Sequence, residues 1–298
     1  MASTNPVKDK IKLLKAEYDR LRPGKESLLR IIDEAELPES VFNSNAIENS
    51  TLTLKETERI LLNLEVPRDV PVREVFEAKN LASVTEYIRT KAVEAQLNQE
   101  MILHLHRMLL THINDNFAGR FRMQGEYVRV GTHIAPAPEQ VQRLIESVLV
   151  EYTSADDMYF ADKIAKFHLD FETIHPFCDG NGRMGRVIIN YQLSRMGYPA
   201  IMIRDKEKWI YYKAFDDYHR YKKTKSMEKI ITLAMIESLH KRNTYLKGME
   251  IMTLADFAKT QKKSINTHSN SARRQTIPAF REKGVWKIGN TVESANRI

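Results

Sequence analysis

The sequence predicts a mainly α-helical fold carrying one β-hairpin and ending in a small α+β module. Three observations carry that reading. Apolar residues recur at helical spacing along most of the 298-residue chain. Glycine and proline are sparse, 11 and 10, as expected for helices joined by short loops. β-branched alternation is confined to the stretch around Tyr127 to Ile134 and to two short runs near the C-terminus.

The elements follow in order. Residues 7 to 22 place Ile11, Leu14 and Tyr18 on one face, and Pro23-Gly24 stops that helix. A second helix is expected over 25 to 35, then a short segment from Leu37 to Asn49, a helix through LKETERILLNL, and a long one through VREVFEAKNLASVTEYIRTKAV. After the helix NQEMILHLHRMLLTHI, the stretch GRFRMQGEYVRVGTHIAPAP changes to hairpin character and stops at PAP. Helical spacing returns in PEQVQRLIESVLVEY, DKIAKFHLDFETI and GRVIINYQLSRMGY, the last capped by Gly197, and again near 208–222 and 226–247. Three regions result: 1–97, an N-terminal helical region; 98–247, a helical core with the hairpin; and 249–298, the α+β module.

Composition narrows the class. With 42% hydrophobic and 29% charged residues the chain reads as a globular protein with a sizeable core. It shows no apolar start of signal-peptide length and no 18-residue apolar run, so a cytoplasmic protein without membrane contact is expected. The single cysteine, Cys178, excludes internal disulfides. The net charge of +7 is uneven: from Ile251 onward nine Lys/Arg face three acids, so nearly all the excess lies on the last 48 residues. That asymmetry makes nucleic acid a candidate partner for the C-terminal module, against a merely solvated basic surface.

The chemistry concentrates in His175 to Arg186, HPFCDGNGRMGR, between two apolar helical runs. If GNGR opens the second helix, unpaired backbone N–H groups point outward there and the glycines let a phosphate approach. Arg183 and Arg186 are three apart on one face, placed to bind further phosphate oxygens. Asp179 is suited to Mg²⁺, which prefers hard oxygen ligands shared with a substrate's phosphates. His175 titrates near neutrality and fits a general base. An EF-hand register would put Phe177 and Ile188 at ligand positions, and no GK[ST] follows the glycines, so neither a calcium loop nor a Walker A loop fits. A purely structural turn would explain the glycines but not His, Asp and two Arg together.

HPFCDGNGRMGR matches at every defined position the signature HPFx[DE]GNGRxxR of the Fic family (filamentation induced by cyclic AMP), and FHLDFETI resembles that family's approach helix. The resemblance covers roughly residues 37 to 240. It implies a helical Fic core and a protein adenylyltransferase (AMPylator) that uses ATP with Mg²⁺ to transfer AMP to a hydroxyl side chain of a target protein. His175 would be the base and Asp179 the Mg²⁺ ligand. Gly180, Asn181 and Gly182 would form the anion hole, with Arg183 and Arg186 on the β- and γ-phosphates. Phe177 would anchor the loop, and Cys178 stands at the variable position. The hairpin resembles the family's flap, which pairs with the target segment and brings Gly131, Thr132 and His133 near the site. Tyr212, in WIYYKAFDDYH, is implied as a nucleotide contact; His219 aligns where some relatives carry Asn.

SNAIEN, Ser44 to Asn49, resembles the family's inhibitory pattern [ST]xxxE[GN] and lies ahead of the core, where relatives with an N-terminal brake carry it. The implied inhibitory helix spans about 37–49. Glu48, oriented by Ser44 one turn earlier, would pair with Arg186 and put negative charge where the γ-phosphate belongs. Glu48 would alternatively orient a water that removes AMP.

The C-terminal stretch opens on a Thr N-cap before LADFA, continues through a second helix with Arg273 and Arg274, and ends in the strand-like runs IPAF and VWKIG joined at KG. It resembles the winged helix-turn-helix of excisionase-like proteins. Lys262, Lys263, Arg273, Arg274 and Lys287 would then contact DNA phosphates. Such modules also position targets or join protomers, which makes a homodimer a further candidate. Two classes therefore stand: an autoinhibited AMP-transferring enzyme, and a DNA-binding regulator whose core senses nucleotide or is inactive.

Overall fold

The computed structural model describes residues 5–66 and 69–290. In chain order its principal elements are α1 (Pro6–Leu21), α2 (Glu26–Ile47), α3 (Leu54–Glu58), α4 (Val72–Lys91), α5 (Gln99–Leu110), β1 (Arg129–Val130), β2 (His133–Ile134), α6 (Val141–Ser154), α7 (Phe160–Ile174), α8 (Asn181–Arg195), α9 (Lys208–Tyr221), α10 (Lys225–Leu246), β3 (Glu250–Thr253), α11 (Leu254–Thr260), α12 (Ile265–Arg273), β4 (Ala279–Glu282) and β5 (Val285–Asn290). The mainly helical expectation holds. Two compact units divide the chain: Leu37–Ile231, and Met1–Glu36 together with Thr232–Ile298.

The larger unit is organised around α8, which packs on α4, α5 and α7. Met184, Val187, Ile188, Tyr191 and Leu193 are buried, and so are the polar Asn181, Arg183, Arg186 and Gln192. Burying polar side chains on such a helix is costly unless they are partnered: Asn181, Arg183 and Arg186 have partners that form the site, whereas the Gln192 amide has no hydrogen-bond partner among the described residues. Around it, Leu105, Leu109 and Leu110 of α5, Phe167 and Phe171 of α7 and Ala78, Leu81 and Val84 of α4 complete one apolar core. The hairpin is shorter than its sequence pattern: Arg129 pairs with Ile134 and Val130 with His133, around a Gly131-Thr132 turn in which Gly131 has φ +58°.

The sequence splits residues 25 to 49 into a helix and a separate segment, but α2 runs unbroken through Pro38. Proline inside a helix removes one hydrogen bond and costs about 3 kcal/mol. In the larger unit that cost is offset by the buried Val41, Ala46 and Ile47 and by the buried ion pair of Glu39 with Arg204.

In the smaller unit, Ile11, Tyr18 and Ile32 are buried together with Met235, Ile236, Leu239 and Leu246. The buried Arg242 guanidinium donates to Asp33 and Glu36. Its C-terminal part is an antiparallel sheet in the order β3-β5-β4, packed on α11 and α12 through Leu254, Ala272, Ala279 and Ile288. Thr253 caps α11 as expected, its hydroxyl accepting from the Asp256 N–H. Strand β3 is absent from the sequence reading, because four residues soon after a glycine, the last of them the N-cap itself, offer no alternation to detect. The last eight residues of the 249–298 module lie outside the described residues.

Candidate functional site

The junction of α7 and α8 is built from beneath. His175 closes α7 in the left-handed region (φ 50°), its N–H donating to the Phe171 carbonyl at 2.9 Å. Phe177 is fully buried and stacks on the His106 ring at 3.6 Å, with 6° between planes. His106 accepts the Gly119 N–H at Nδ1 (3.0 Å), so its Nε2–H donates to the Asp179 carbonyl (3.0 Å). Burial holds this ring down to about 4, which keeps it neutral for that pair of bonds. The Asn181 side chain, 2% exposed, accepts the Phe177 N–H at 2.9 Å and donates to the Phe177 carbonyl at 2.8 Å. Asn181 therefore braces the loop with its amide and offers an anion only its backbone N–H. Arg122, from the GRFR stretch, donates to the carbonyls of His175 (2.8 Å), Glu126 (2.9 Å) and Pro136 (2.9 Å), tying the hairpin strands' base to the loop.

With the loop fixed from below, the first N–H groups of α8 face outward without intrahelical partners. Gly180 sits at φ +80°, where a side chain would be strained, and a Cβ there would lie 3.0 Å from Leu110. At Gly182 a Cβ would fall 2.1 Å from Glu48 Oε1. The Glu48 carboxylate thus sits directly on the glycine at the head of α8, where an anion would bind.

Helix-end geometry explains how Glu48 gets there. Asn49 adopts φ +66°, its N–H donating to the Ala46 carbonyl (3.0 Å), and Ser50 N–H donates to the Asn45 carbonyl (3.1 Å). This is a Schellman termination of α2, with Asn49 as the left-handed residue and Glu48 as the C-cap. The pattern's final Gly or Asn is therefore the residue that stops the helix and aims the glutamate. Arg186 Nη2 donates to Glu48 Oε1 at 2.8 Å and to the Ser44 carbonyl at 2.8 Å, while Nε donates to Ser44 Oγ at 2.9 Å. Ser44 holds the arginine rather than the carboxylate. The guanidinium also lies over the Tyr211 ring at 5.9 Å.

Asp179 and Arg183 belong to a second charged group. Arg183, with its side chain 4% exposed, places Nη2 3.3 Å from Asp179 Oδ1 and Nη1 3.2 Å from Glu77 Oε1. Arg73, at the start of α4, pairs with Asp179 Oδ2 and with Glu77 at 3.0 Å. Burial works to raise the Asp179 carboxyl, but Arg183 and Arg73 hold it below the usual carboxylate range. These groups, with Asn45, Glu48 and Gly180, line a cavity of about 320 Å³. No cluster of three His, Cys, Asp or Glu suited to a metal exists among the described residues. An ionised carboxylate at the rim of such a cavity still fits Mg²⁺, which takes one or two protein carboxylates and completes its shell with phosphates and water.

The His175 ring lies with Nδ1 3.3 Å from the Glu172 carbonyl, so an Nδ1–H donates there and the Nε2 lone pair is left to accept a proton. Burial lowers this ring to about 4. Glu172 is pushed the other way, to about 8, by burial and then by Glu48, with Arg186 opposing. Its Oε2 is 3.8 Å from His175 Nδ1. Cys178 is raised to about 11, first by burial and then by Glu126, leaving an unreactive thiol.

Gly131 and Thr132 lie exposed at the hairpin tip. His133 Nε2 bonds the Thr173 carbonyl at 2.8 Å, and its ring stacks on His219 at 4.3 Å, so it docks the hairpin on α7 and α9. The Tyr212 hydroxyl donates to the Ile47 carbonyl at 2.7 Å, holding the last turn of α2. Sequence reading did not single out His106, Arg122, Arg73, Glu77 or Glu172. Glu172 alone left a trace, an acid three residues before His175 inside an apolar helix.

Residues 96–193 match the Fic/DOC family model. A protein adenylyltransferase Fic from Nematostella vectensis is 30% identical over 211 residues, which is 68% of this chain and 48% of that one. The chain thus spans about half the length of that curated relative. A Fic-domain-containing signalling protein from Bacteroides thetaiotaomicron, 25% identical, superposes with a TM-score of 0.71 over 80% of this chain and 97% of that one. A Fic family protein from Desulfovibrio desulfuricans, 20% identical with a TM-score of 0.62, shares the fold over 97% of each. The matched segment contains the loop, α7 and most of α8 described above, and it is residues 96–193 that form a Fic/DOC family domain.

Proposed function

We propose that this chain is a protein adenylyltransferase, moving AMP from ATP to a Ser, Thr or Tyr hydroxyl of a target protein and of itself, and that Glu48 holds it inactive. The observation that carries the reading is the position of Glu48, bound to Arg186 and lying on Gly182. A carboxylate seated on a helix N-terminus and a buried arginine marks the place of another anion.

With Glu48 withdrawn, Arg186 would take the γ-phosphate and the N–H groups of Asn181, Gly182 and Arg183 the oxygens of the α- and β-phosphates. Asp179 would hold Mg²⁺, which supplies charge neutralisation between those phosphates. His175 Nε2 would accept the target's hydroxyl proton as that oxygen bonds to the α-phosphorus. The bond to the bridging oxygen then breaks, leaving AMP on the target and releasing pyrophosphate. The hairpin edge would register the target segment by main-chain bonds, with Gly131 and Thr132 at its tip and His133 beneath. Tyr212 would release Ile47 when α2 yields and would then be open to the nucleotide. Removal of AMP by a water that Glu48 orients is a second activity of the same site. Labelled ATP with purified wild type, Glu48→Gly and Glu48→Gly/His175→Ala tests the reading: strong labelling is expected only for the single variant.

We infer a second partner, duplex DNA, for the C-terminal module. Asn266, Asn270 and Arg273 form an exposed stripe along α12. Lys262, Lys263, Arg273 and Arg274 are exposed, and no acid pairs with them among the described residues. That combination suits a helix entering a major groove between phosphate contacts. Lys287 is removed from the expected set, because Glu282 holds it at 2.6 Å. Anisotropy of a labelled duplex should show binding that weakens steeply with salt and is lost in Lys262→Ala/Lys263→Ala/Arg273→Ala/Arg274→Ala; no binding at low salt would end this reading. A homodimer is the other occupant this module would accept, and light scattering distinguishes it.

A further inference from the structure

Both oxygens of Asp179 are already engaged. Oδ2 accepts from Arg73, and Oδ1 lies 3.3 Å from Arg183 Nη2. Glu77 Oε1 completes the arrangement, accepting from Arg73 Nε at 3.0 Å and lying 3.2 Å from Arg183 Nη1. Two guanidiniums and two carboxylates form a closed ring on the wall of the cavity.

The two arginines are held very differently. Arg183 is 4% exposed in its side chain and fixed in α8, and its buried Nε and Nη1 lack a hydrogen-bond acceptor of good geometry. Arg73 is 55% exposed in its side chain and stands at the second position of α4. A divalent cation arriving at Asp179 would meet two positive neighbours, of which only Arg73 is free to move. Its pairing with Glu77 one helical turn away keeps it at the rim when it lets go.

We propose that Arg73 is a resident counter-ion of Asp179 which a divalent cation must displace, and that the displaced guanidinium then binds the phosphates beside that cation. Arg73 is thus a phosphate-binding residue contributed from outside the signature loop, and its salt bridge is a barrier to metal entry, separate from the barrier that Glu48 sets against the nucleotide. The proposal rests on the assignment of the metal to Asp179.

The test uses the full chain in the Glu48→Gly background and two readouts that move in opposite directions. Mn²⁺ binding without nucleotide, followed by loss of the free-ion paramagnetic resonance signal, should tighten about two- to fivefold in Arg73→Gln, the range for releasing a largely exposed ion pair. Arg73→Lys, which keeps the charge, should stay near the parent. With saturating Mg²⁺, a non-hydrolysable ATP analogue should bind Arg73→Gln more weakly by at least the same factor. Unchanged or weaker Mn²⁺ binding in Arg73→Gln, with binding abolished in Asp179→Asn, overturns the counter-ion role while sparing the metal assignment. Mn²⁺ binding to Asp179→Asn equal to the parent overturns the assignment itself.

Discussion

Replacing Glu48 by glycine isolates the brake. The substitution removes the carboxylate 2.8 Å from Arg186 Nη2 and clears the space on Gly182. A phosphate entering with Glu48 in place would add like charge at contact distance. Two unit charges 4 Å apart repel by about 4 kcal/mol at an effective dielectric near 20. The Glu48 side chain is 39% exposed, so solvent screens part of this, and half of it, about 2 kcal/mol, corresponds to roughly a 30-fold gain in nucleotide affinity. The same change strips a buried guanidinium of its acid, leaving Ser44 and the Tyr211 ring, and should cost about 1–3 kcal/mol of stability. A variant that is more active and melts several degrees lower is therefore expected. Labelled-ATP transfer and a thermal melt, each with and without ATP·Mg²⁺, measure both. Glu48→Gln separates charge from bulk and should activate less than glycine, since its amide still occupies Gly182. Labelling equal in wild type and Glu48→Gly, with calorimetry showing equal ATP affinity, would refute the reasoning.

Other consequences can be checked on the same samples. The three atoms nearest a Cβ at Gly182 all belong to Glu48, so Gly182→Ala in the Glu48→Gly background should fold normally. It should nonetheless lose on the order of a hundredfold in transfer, because the methyl fills the phosphate's approach; retained transfer would mean that no phosphate sits there. Asn181→Ala removes both bonds to the Phe177 peptide and should lower stability by about 1–3 kcal/mol, read as a fall in Tm. The pH dependence of stability follows from the buried rings. His106, His168, His175 and His240 are depressed from 6.5 to about 4, 3, 4 and 3 by burial, so the unfolded chain takes their protons first and stability falls as pH drops below about 6.5. Glu172, raised to about 8, opposes this, since its protonation favours the fold at lower pH. Four histidines outweigh one glutamate by roughly 5 kcal/mol between pH 7 and 5, so Tm should fall by on the order of 10 °C. An unchanged Tm would show that these rings are not buried neutral.

Much of the fold was legible because helices announce themselves locally: α1 and α4 to α10 follow from apolar spacing and from stops such as Pro23-Gly24 and Gly197. The fold departs from that reading where packing overrode a local signal, as at Pro38 within α2, or where no periodic signal existed, as in β3. No helix of the described residues is long and apolar enough to cross a membrane.

The site divides in the same way. By itself the sequence determined the chemical inventory of one loop, HPFCDGNGRMGR: its residue types and spacing carry the anion, metal and base reading, because a helix start presents consecutive groups to one ligand. Only tertiary structure decided what holds each group and in which direction it is used. The Asn181 amide turns inward, His106 fixes the Asp179 peptide from α5, and Arg73 claims Asp179 across 106 residues of sequence. The meeting of Glu48 with Arg186 spans 138 residues and depends on the left-handed Asn49 that ends α2. Such contacts are set by how helices pack, and packing is decided by the whole core rather than by the residues that touch.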